Sequence, residues 1–207
     1  MHQFSFLDKV ESKFYIEAGA NDGLTQNNTY ELEQMGWKGL LVEPCPTNYT
    51  KCLRARGRNN YVENYALVGD SYEGDTIGIF VEPRCYNGLM AVVNHFPDGM
   101  VDPERIPHHE DFVQKFKLPE TQIPAITIQR LLDKHSINEV GYFSLDVEGY
   151  ELEVLTGLNF DKVRPEFFRL EVTQNESHRE RVRTFMSDRN YELVEMLTDN
   201  DALYKDK

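Results

Sequence analysis

Residues 14–34, "FYIEAGANDGLTQNNTYELEQ", join a short apolar run to a helical pattern through a turn of small and polar residues. The apolar run ends in an acid, Glu17, and glycines follow at Gly19 and Gly23. Glycine weakens both a strand and a helix, so an ordinary core would favour a side chain that packs. We therefore interpret the turn as a place where a ligand approaches the backbone closely.

On either side of this turn, apolar runs alternate with helical patterns along the chain. Strands are predicted in KFYIEAG, KGLLVEP, NYVENYALVG, TIGIFVE, the start of AITIQRLLDKH, VGYFSLDVEG and EFFRLEV. This alternation predicts an α/β fold with a mostly parallel, doubly wound sheet. The closing stretch YELVEMLTDNDALYK predicts a β-hairpin, and with it one antiparallel strand at an edge of the sheet.

The length and charge of the chain restrict its class. A chain of 207 residues favours one domain over 1–207. The net charge of −13 argues against a nucleic-acid partner, which needs a basic face, and against an anionic membrane surface. The basic cluster of Lys51, Arg54, Arg56 and Arg58 is interpreted as a solvated helix end.

The cysteines and the N-terminal residues indicate a compartment. Cys45, Cys52 and Cys85 are odd in number and lack metal-ligand spacing, so a reducing compartment is expected. No apolar run approaches the length of a bilayer span, and the first residues lack the anatomy of a signal peptide. We expect a cytoplasmic protein without membrane insertion, and the sequence is equally compatible with one domain of a longer polypeptide.

The span 83–124 interrupts the alternation with several prolines and little periodicity. A long irregular stretch in a compact domain is usually functional or mobile. We predict an insertion that covers the substrate side of the sheet. Within it lie the neighbouring histidines His108 and His109, and His109 is a candidate general base that acts from this cover.

Two features of the first half indicate the kind of ligand. The spacing Glu17-x-Gly19-x-x-x-Gly23 lacks the G-x-G-x-x-G pattern that holds a pyrophosphate, which disfavours NAD and FAD. At the end of the second strand, Glu43 is placed to accept both ribose hydroxyls of a nucleoside. S-adenosylmethionine satisfies both features, since it has an adenosine and a cationic sulfonium but no phosphate. The sequence therefore predicts this cofactor.

Polar residues follow two later strands, where a substrate would react. Asp146 ends YFSLDV, Glu171 ends FFRLEV, and Asn175 lies four residues further on. Acids at adjacent strand ends can converge on one hydroxyl as a base or on one hard cation. Two carboxylates and an amide suit Mg²⁺ or Mn²⁺. The alternative is that Asp146 caps the next helix, and Glu148 and Glu151 are interpreted as acids of its first turn.

Residues 14–44 together with YFSLDVEGYELEVLTG resemble the FkbM-type family of S-adenosylmethionine-dependent methyltransferases. The resemblance implies a class I methyltransferase (Rossmann-like) fold, with a seven-stranded sheet whose last strand is antiparallel. It also implies O-methylation of a hydroxyl on a sugar or another natural-product scaffold. The cofactor-binding residues expected on this basis are Glu17, Gly19, Ala20, Asn21, Asp22, Gly23, Thr25, Asn28, Glu43, Asn64, Ala66 and Asp146.

We therefore expect an O-methyltransferase that acts on a hydroxyl of a glycan or of the sugar in a glycoconjugate, alone or as one domain of a larger glycan-processing protein. The alternatives are a polyketide, peptide or lipid acceptor, or a binding module that keeps the fold without turnover. A further alternative, an NAD-dependent oxidoreductase, is disfavoured by the missing glycine pattern.

Overall fold

The computed structural model describes residues 7, 10–81, 91–93, 120–172 and 176–207. The strands are β1 (Phe14–Ala18), β2 (Lys38–Val42), β3 (Tyr61–Glu63), β4 (Ala66–Val68), β5 (Thr76–Val81), β6 (Ala91–Val93), β7 (Glu120–Thr127), β8 (Tyr142–Leu145), β9 (Phe167–Glu171), β10 (Tyr191–Met196) and β11 (Asp201–Asp206). The helices are α1 (Tyr30–Gln34), α2 (Pro46–Arg56), α3 (Ile128–His135), α4 (Glu151–Thr156) and α5 (Glu176–Asp188). Across these described ranges, none of the helices has the length and apolar composition needed to cross a bilayer.

The larger sheet has seven strands in the order β10-β11-β9-β8-β1-β2-β3. Neighbouring strands are parallel except at β11, which is antiparallel to both β9 and β10. The prediction of an α/β fold with a seven-stranded sheet and an antiparallel hairpin strand is confirmed, and the arrangement is compatible with a methyltransferase-like fold. Because β1, β2 and β8 are parallel neighbours, their carboxyl ends meet at one edge.

The position of the antiparallel strand differs from the prediction. We expected it at an edge, but β11 lies between β9 and β10, and β10 forms the edge. The reason lies in the side chains of the two strands. The consecutive residues Ala202, Leu203 and Tyr204 are all buried, which requires cover on both faces of the strand. Strand β10 instead exposes Val194 and Met196.

A smaller sheet has the order β4-β7-β5-β6, and it corrects the prediction of a single third strand in NYVENYALVG. The chain leaves the larger sheet after β3, where the Asn64 amide donates to the carbonyl oxygens of Glu43 and Pro44 at 2.8 and 2.9 Å. Strand β4 then pairs with β7 instead of β2. Of the predicted insertion at 83–124, β6 and part of β7 belong to this sheet, and 83–90 and 94–119 lie outside the described residues.

Helices pack on both faces of the larger sheet because successive strand residues point to opposite sides. On one face, Ile16 and Phe143 belong to a core that includes Leu131 of α3, Leu155 of α4 and Met186 of α5. The second core, on the opposite face, includes the following side chains: Tyr15, Leu41, Tyr142, Leu32 of α1 and Cys52 of α2. The two cores place the sheet between helical layers. The layers cover its faces, and the edge where the carboxyl ends of the parallel strands meet remains for a site.

Candidate active site

A cavity lies at the carboxyl ends of β1, β2 and β8, between the β1–α1 turn and the β8–α4 turn. Six of the residues predicted to bind the cofactor line it: Gly19, Asn21, Thr25, Glu43, Ala66 and Asp146. These residues come from four separate parts of the chain, and the fold brings them together. The two motifs that were recognised in the sequence thus form two sides of one cavity.

The two glycines of the β1–α1 turn have a packing cause. Gly19 has φ +84°, and a Cβ there would lie 1.9 Å from the carbonyl oxygen of Asp146. Its N–H donates to the carbonyl of Val42 at 3.0 Å, which fixes the turn against β2. Gly23 has φ +82°, and a Cβ there would lie 3.0 Å from the Cys52 sulfur on α2. Neighbouring segments therefore leave no room for side chains, a cause that the sequence interpretation, which invoked only a ligand, missed.

Glu43 is a buried carboxyl group, 5% exposed, in the cavity wall. One of its oxygens accepts the backbone N–H of Asn21 and the other that of Cys45, both at 2.8 Å. A carboxylate has about four acceptor positions, so capacity remains for the hydroxyl groups of a ligand. Burial, partly offset by these two hydrogen bonds, raises the pKa of Glu43 to about 7. This group therefore changes charge near neutral pH.

This raised pKa predicts how stability depends on pH. Between 4.5, the ordinary pKa of glutamate, and about 7, the folded state binds more protons than the unfolded state, so the free energy of unfolding falls as the pH rises. Over this pH range, the titration of Glu43 changes the free energy of unfolding by about 3 kcal/mol. We expect urea unfolding to show that, from about pH 5 to about pH 8, the free energy of unfolding of Glu43→Gln falls by up to about 3 kcal/mol less than that of the wild type. The exposed acid Glu192 gives the control variant Glu192→Gln, and an equal pH dependence in both variants would contradict this charge assignment.

The β8–α4 turn carries a cluster of carboxyl groups. Burial, and then the neighbouring charges of Glu171, Glu148 and Glu151, raise the pKa of Asp146 well above its ordinary value. One carboxylate oxygen from each of Asp146, Glu151 and Glu171 lies within 4.8 Å of the others. The structure thus brings Asp146 and Glu171 together and adds Glu151. The alternative role of Asp146 as a helix cap is not seen, since Tyr150 is the N-cap of α4.

Two of the three predicted metal ligands, Asp146 and Glu171, are therefore neighbours. The third, Asn175, lies outside the described residues, as does the candidate base His109. Three carboxylate oxygens at this separation suit a hard divalent cation. Close carboxyl groups also retain protons, because like charges disfavour full ionisation. A Mg²⁺ or Mn²⁺ site stays a prediction.

Glu17, which was predicted to bind the cofactor, is directed into the protein and is not part of the cavity lining. Its carboxylate accepts hydrogen bonds from the Asn27 amide at 2.7 Å, from the Asn28 N–H at 2.8 Å and from the Thr29 hydroxyl. Burial raises the pKa of Glu17. These contacts close the β1–α1 turn from behind, so the acid shapes the cavity through the backbone.

Arg56 is the basic partner behind the turn, and its interpretation as part of a solvated helix end is wrong. Its side chain is completely buried and forms an ion pair with Glu33. It donates to the Gly23 carbonyl at 2.8 Å, the Asn27 amide oxygen at 3.0 Å and the Tyr15 hydroxyl at 2.6 Å. A buried charge persists only where its donors are paired. The other members of the basic cluster are exposed: Lys51, Arg54 and Arg58.

Further residues that were predicted to bind the cofactor support the cavity from outside its lining: Ala20, Asp22, Gly23, Asn28 and Asn64. Asp22 accepts the backbone N–H groups of Leu24 and Thr25 at 2.9 and 2.7 Å, which closes the turn. Asn28 donates to the Ser144 hydroxyl at 3.1 Å and ties the turn to β8. These polar side chains form hydrogen bonds with other groups of the protein. Their positions in the sequence do not reveal this role.

Sequence reasoning missed several lining residues: Gln26, Val42, Pro44, Tyr65, Leu67, Val147 and Tyr150. Another lining residue, Glu148, is an acid of the motif YFSLDVEG and was interpreted as an acid of the first helical turn, whereas it precedes α4. Both Gln26 and Glu148 have positive φ, at 52° and 59°, a conformation that is rare for such side chains. Strained backbone of this kind tends to cluster at functional sites. Gly149, which follows Glu148, was the available signal for a sharp turn there.

A family model of the methyltransferase FkbM domain matches residues 17–193, which include both turns of the cavity. No curated protein matches the chain. The family resemblance that was inferred from the two motifs is thus confirmed over most of the chain. The match also covers residues 83–124, where the sequence motifs alone gave little to compare.

Proposed function

Because the chain belongs to the FkbM methyltransferase family, we propose that it transfers the methyl group of S-adenosylmethionine to a hydroxyl oxygen of a carbohydrate. The observation that carries this proposal is Glu43, a buried carboxyl group that lines the cavity at the end of β2. The strand order with its antiparallel β11 supports a class I methyltransferase (Rossmann-like) arrangement.

The residues of the cavity fit an adenosine. Glu43 keeps acceptor positions for ribose hydroxyls, and its location at the end of β2 is the one that nucleoside-binding sheets use. Tyr65, Ala66 and Leu67 line the cavity next to it and offer an apolar surface for a flat base. The Asn64 amide holds the carbonyl groups of Glu43 and Pro44, which keeps the acid and this surface in a fixed relation.

The charges of the cavity favour a cationic cofactor over a dinucleotide. Among the described residues, the carboxyl groups that line it and can carry negative charge are those of Glu43, Asp146 and Glu148, and no lysine or arginine lines the cavity beside them. Each of these carboxyl groups that is ionised repels a diphosphate. A pyrophosphate site instead relies on glycine-rich backbone N–H groups at a helix N-terminus. Here the N–H groups of Gly19 and Asn21 are bonded to Val42 and Glu43. The cavity therefore supports a sulfonium compound and disfavours NAD.

When bound, S-adenosylmethionine supplies the methyl group and the leaving thioether. The task of the protein is to align the acceptor oxygen and to accept its proton. Asp146 lines the cavity after β8, and its raised pKa brings the carboxyl group closer to the basicity that a general base needs. One oxygen each of Glu171 and Glu151 lies within 4.8 Å of an Asp146 oxygen, so their negative charges favour a proton on Asp146. We assign proton acceptance to this cluster, with His109 as a second candidate from the sequence.

The carbohydrate acceptor rests on the family resemblance, and polyketide, peptide and lipid hydroxyls are the alternatives. We also propose that the reaction takes place in the cytoplasm, which the free thiols of Cys45 and Cys52 support. The acceptor is identified by incubation of the protein and isotopically labelled cofactor with a panel of glycans, polyketides, peptides and lipids, followed by mass spectrometry. An EDTA arm with Mg²⁺ or Mn²⁺ added back tests the metal prediction, for which Asp146, Glu151 and Glu171 would be the ligands.

Calorimetry tests the proposal without knowledge of the acceptor. We expect S-adenosylmethionine to bind and NAD⁺ to give no heat at the same concentrations. Glu43→Gln should raise the Kd of S-adenosylmethionine by about 10- to 100-fold, since hydrogen bonds to a charged group contribute about 1.5–3 kcal/mol. Glu192→Gln should leave the Kd unchanged. Tight binding of NAD⁺, or an equal Kd for the wild type and Glu43→Gln, would contradict the assignment.

A further inference from the structure

The segment through which the chain leaves the larger sheet also contributes to the cavity wall. It consists of Glu63, the last residue of β3, followed by Asn64 and Tyr65, and Tyr65 lines the cavity. The backbone N–H of Glu43 donates to the Glu63 carbonyl at 3.0 Å, and the Asn64 amide donates to the carbonyl groups of Glu43 and Pro44. The backbone of this segment is therefore fixed to the strand end that carries Glu43.

The side chains of the same segment are held by Lys134 and His135, the last two residues of α3. The Lys134 ammonium donates to Glu63 Oε1 at 2.7 Å, and His135 Nε2 lies 2.6 Å from the same oxygen. Lys134 Nζ also lies 5.4 Å from the centroid of the Tyr65 ring, which is within the range of a cation–π interaction. The His135 ring stacks on Tyr61 of β3 with 4.1 Å between the centroids. The end of α3 thus contacts the cavity wall from behind.

These contacts differ from those of an ordinary surface ion pair. The side chains of Glu63 and His135 are mostly buried, at 14% and 15% exposed. The hydrogen bond to Glu63 raises the pKa of Lys134, so its ammonium stays charged at neutral pH. The same helix also carries an ordinary pair, Asp133 with Lys162, in which both side chains are nearly half exposed. An exposed pair of this kind contributes little to stability, and neither of its residues belongs to the described cavity lining.

We propose that Lys134 is a positioning residue that, together with Glu63, holds the Tyr65 ring in place for the adenine of the cofactor. This inference rests on the proposed function. A side chain that becomes ordered only when a ligand binds weakens the affinity, because its loss of conformational freedom opposes binding. Since Lys134 contacts the Tyr65 ring before the ligand arrives, that loss takes place during folding instead. The adenosine end of the cavity is therefore preorganised.

Calorimetry with S-adenosylmethionine tests this role at a temperature at which every variant is fully folded. Lys134 is 45% exposed, so we expect Lys134→Met to fold, and it should raise the Kd by about threefold to tenfold. Lys134→Arg should return the Kd to within about twofold of the wild-type value, because a guanidinium can also bind a carboxylate and lie over an aromatic ring. Lys162→Met removes the lysine of the exposed pair and should leave the Kd unchanged.

A second variant separates positioning from stability. Glu63→Ala removes the acceptor of Lys134 and should also raise the Kd, and the double variant Glu63→Ala/Lys134→Met should raise it no further than the larger single effect, since both act on one ring. A role in stability alone would lower the Tm of Lys134→Met and Glu63→Ala but leave both Kd values equal to that of the wild type, which would overturn this inference alone. An equal rise in Kd for Lys162→Met and Lys134→Met would overturn it too. Absence of binding by the wild type would overturn the proposed function, and this inference with it.

Discussion

Replacement of Arg56 by methionine is expected to lower the free energy of unfolding by about 3–5 kcal/mol. The guanidinium is completely buried, and it is paired with Glu33 and bonded to Tyr15, Gly23 and Asn27. Methionine fills similar volume but leaves these acceptors unpaired. A loss of this size is a large part of the stability of a typical domain, about 5–15 kcal/mol. Urea unfolding measures it.

The same helix provides the control. Arg54 is an exposed arginine of α2, and Arg54→Met should change the free energy of unfolding by less than about 0.5 kcal/mol. We also expect Arg56→Met to weaken the binding of S-adenosylmethionine, because the β1–α1 turn loses its anchor on α2. Equal stability of the Arg54 and Arg56 variants would show that the buried network contributes nothing.

Gly19→Ala is expected to remove cofactor binding and to lower the free energy of unfolding by at least about 3 kcal/mol. A Cβ at this position would lie 1.9 Å from the Asp146 carbonyl oxygen, and real Cβ atoms essentially never approach closer than 3.0 Å. The β8–α4 turn would therefore have to move by more than 1 Å. Because both turns line the cavity, this movement separates the Glu43 side from the Asp146 side.

Gly36→Ala isolates the conformational part of this effect. Gly36 has nearly the same φ, +89°, but a Cβ there would meet nothing within 4 Å. Alanine at Gly36 should therefore cost only the left-handed strain, about 1–2 kcal/mol, and leave calorimetric binding intact. If urea unfolding gives both variants the same stability and calorimetry gives them the same Kd, the close approach at Gly19 has no consequence.

The sequence was sufficient to predict those features of the fold and the site that local patterns of residues determine. Apolar runs and turns predicted the sheet, and the acid Glu43 at a strand end located the cavity wall. The order of the last two strands could have been predicted from Ala202, Leu203 and Tyr204, since three consecutive apolar residues indicate cover on both faces of a strand. The split between β3 and β4 depends on the bonds of Asn64 to two distant carbonyl groups, and no local pattern encodes them.

The site shows the same division between local and tertiary causes. Glu17 and Glu43 are both acids at strand ends, yet one closes a turn and the other lines the cavity. Arg54 and Arg56 are two residues apart on one helix, and only the second is buried. The members of each pair differ in their tertiary contacts, and composition and spacing do not specify those contacts. Sequence reasoning is therefore reliable for the edge of the sheet that carries the site and weaker for the role of each side chain.

We infer that the cavity holds the adenosine of a sulfonium cofactor against Glu43. A crystal structure with S-adenosylhomocysteine bound tests it most directly. We expect both ribose hydroxyls to lie within about 3.2 Å of the Glu43 carboxylate oxygens, with the rest of the ligand between the turns at Gly19 and Asp146. A ribose turned away from Glu43, with nothing against the Gly19 turn, would contradict the claim.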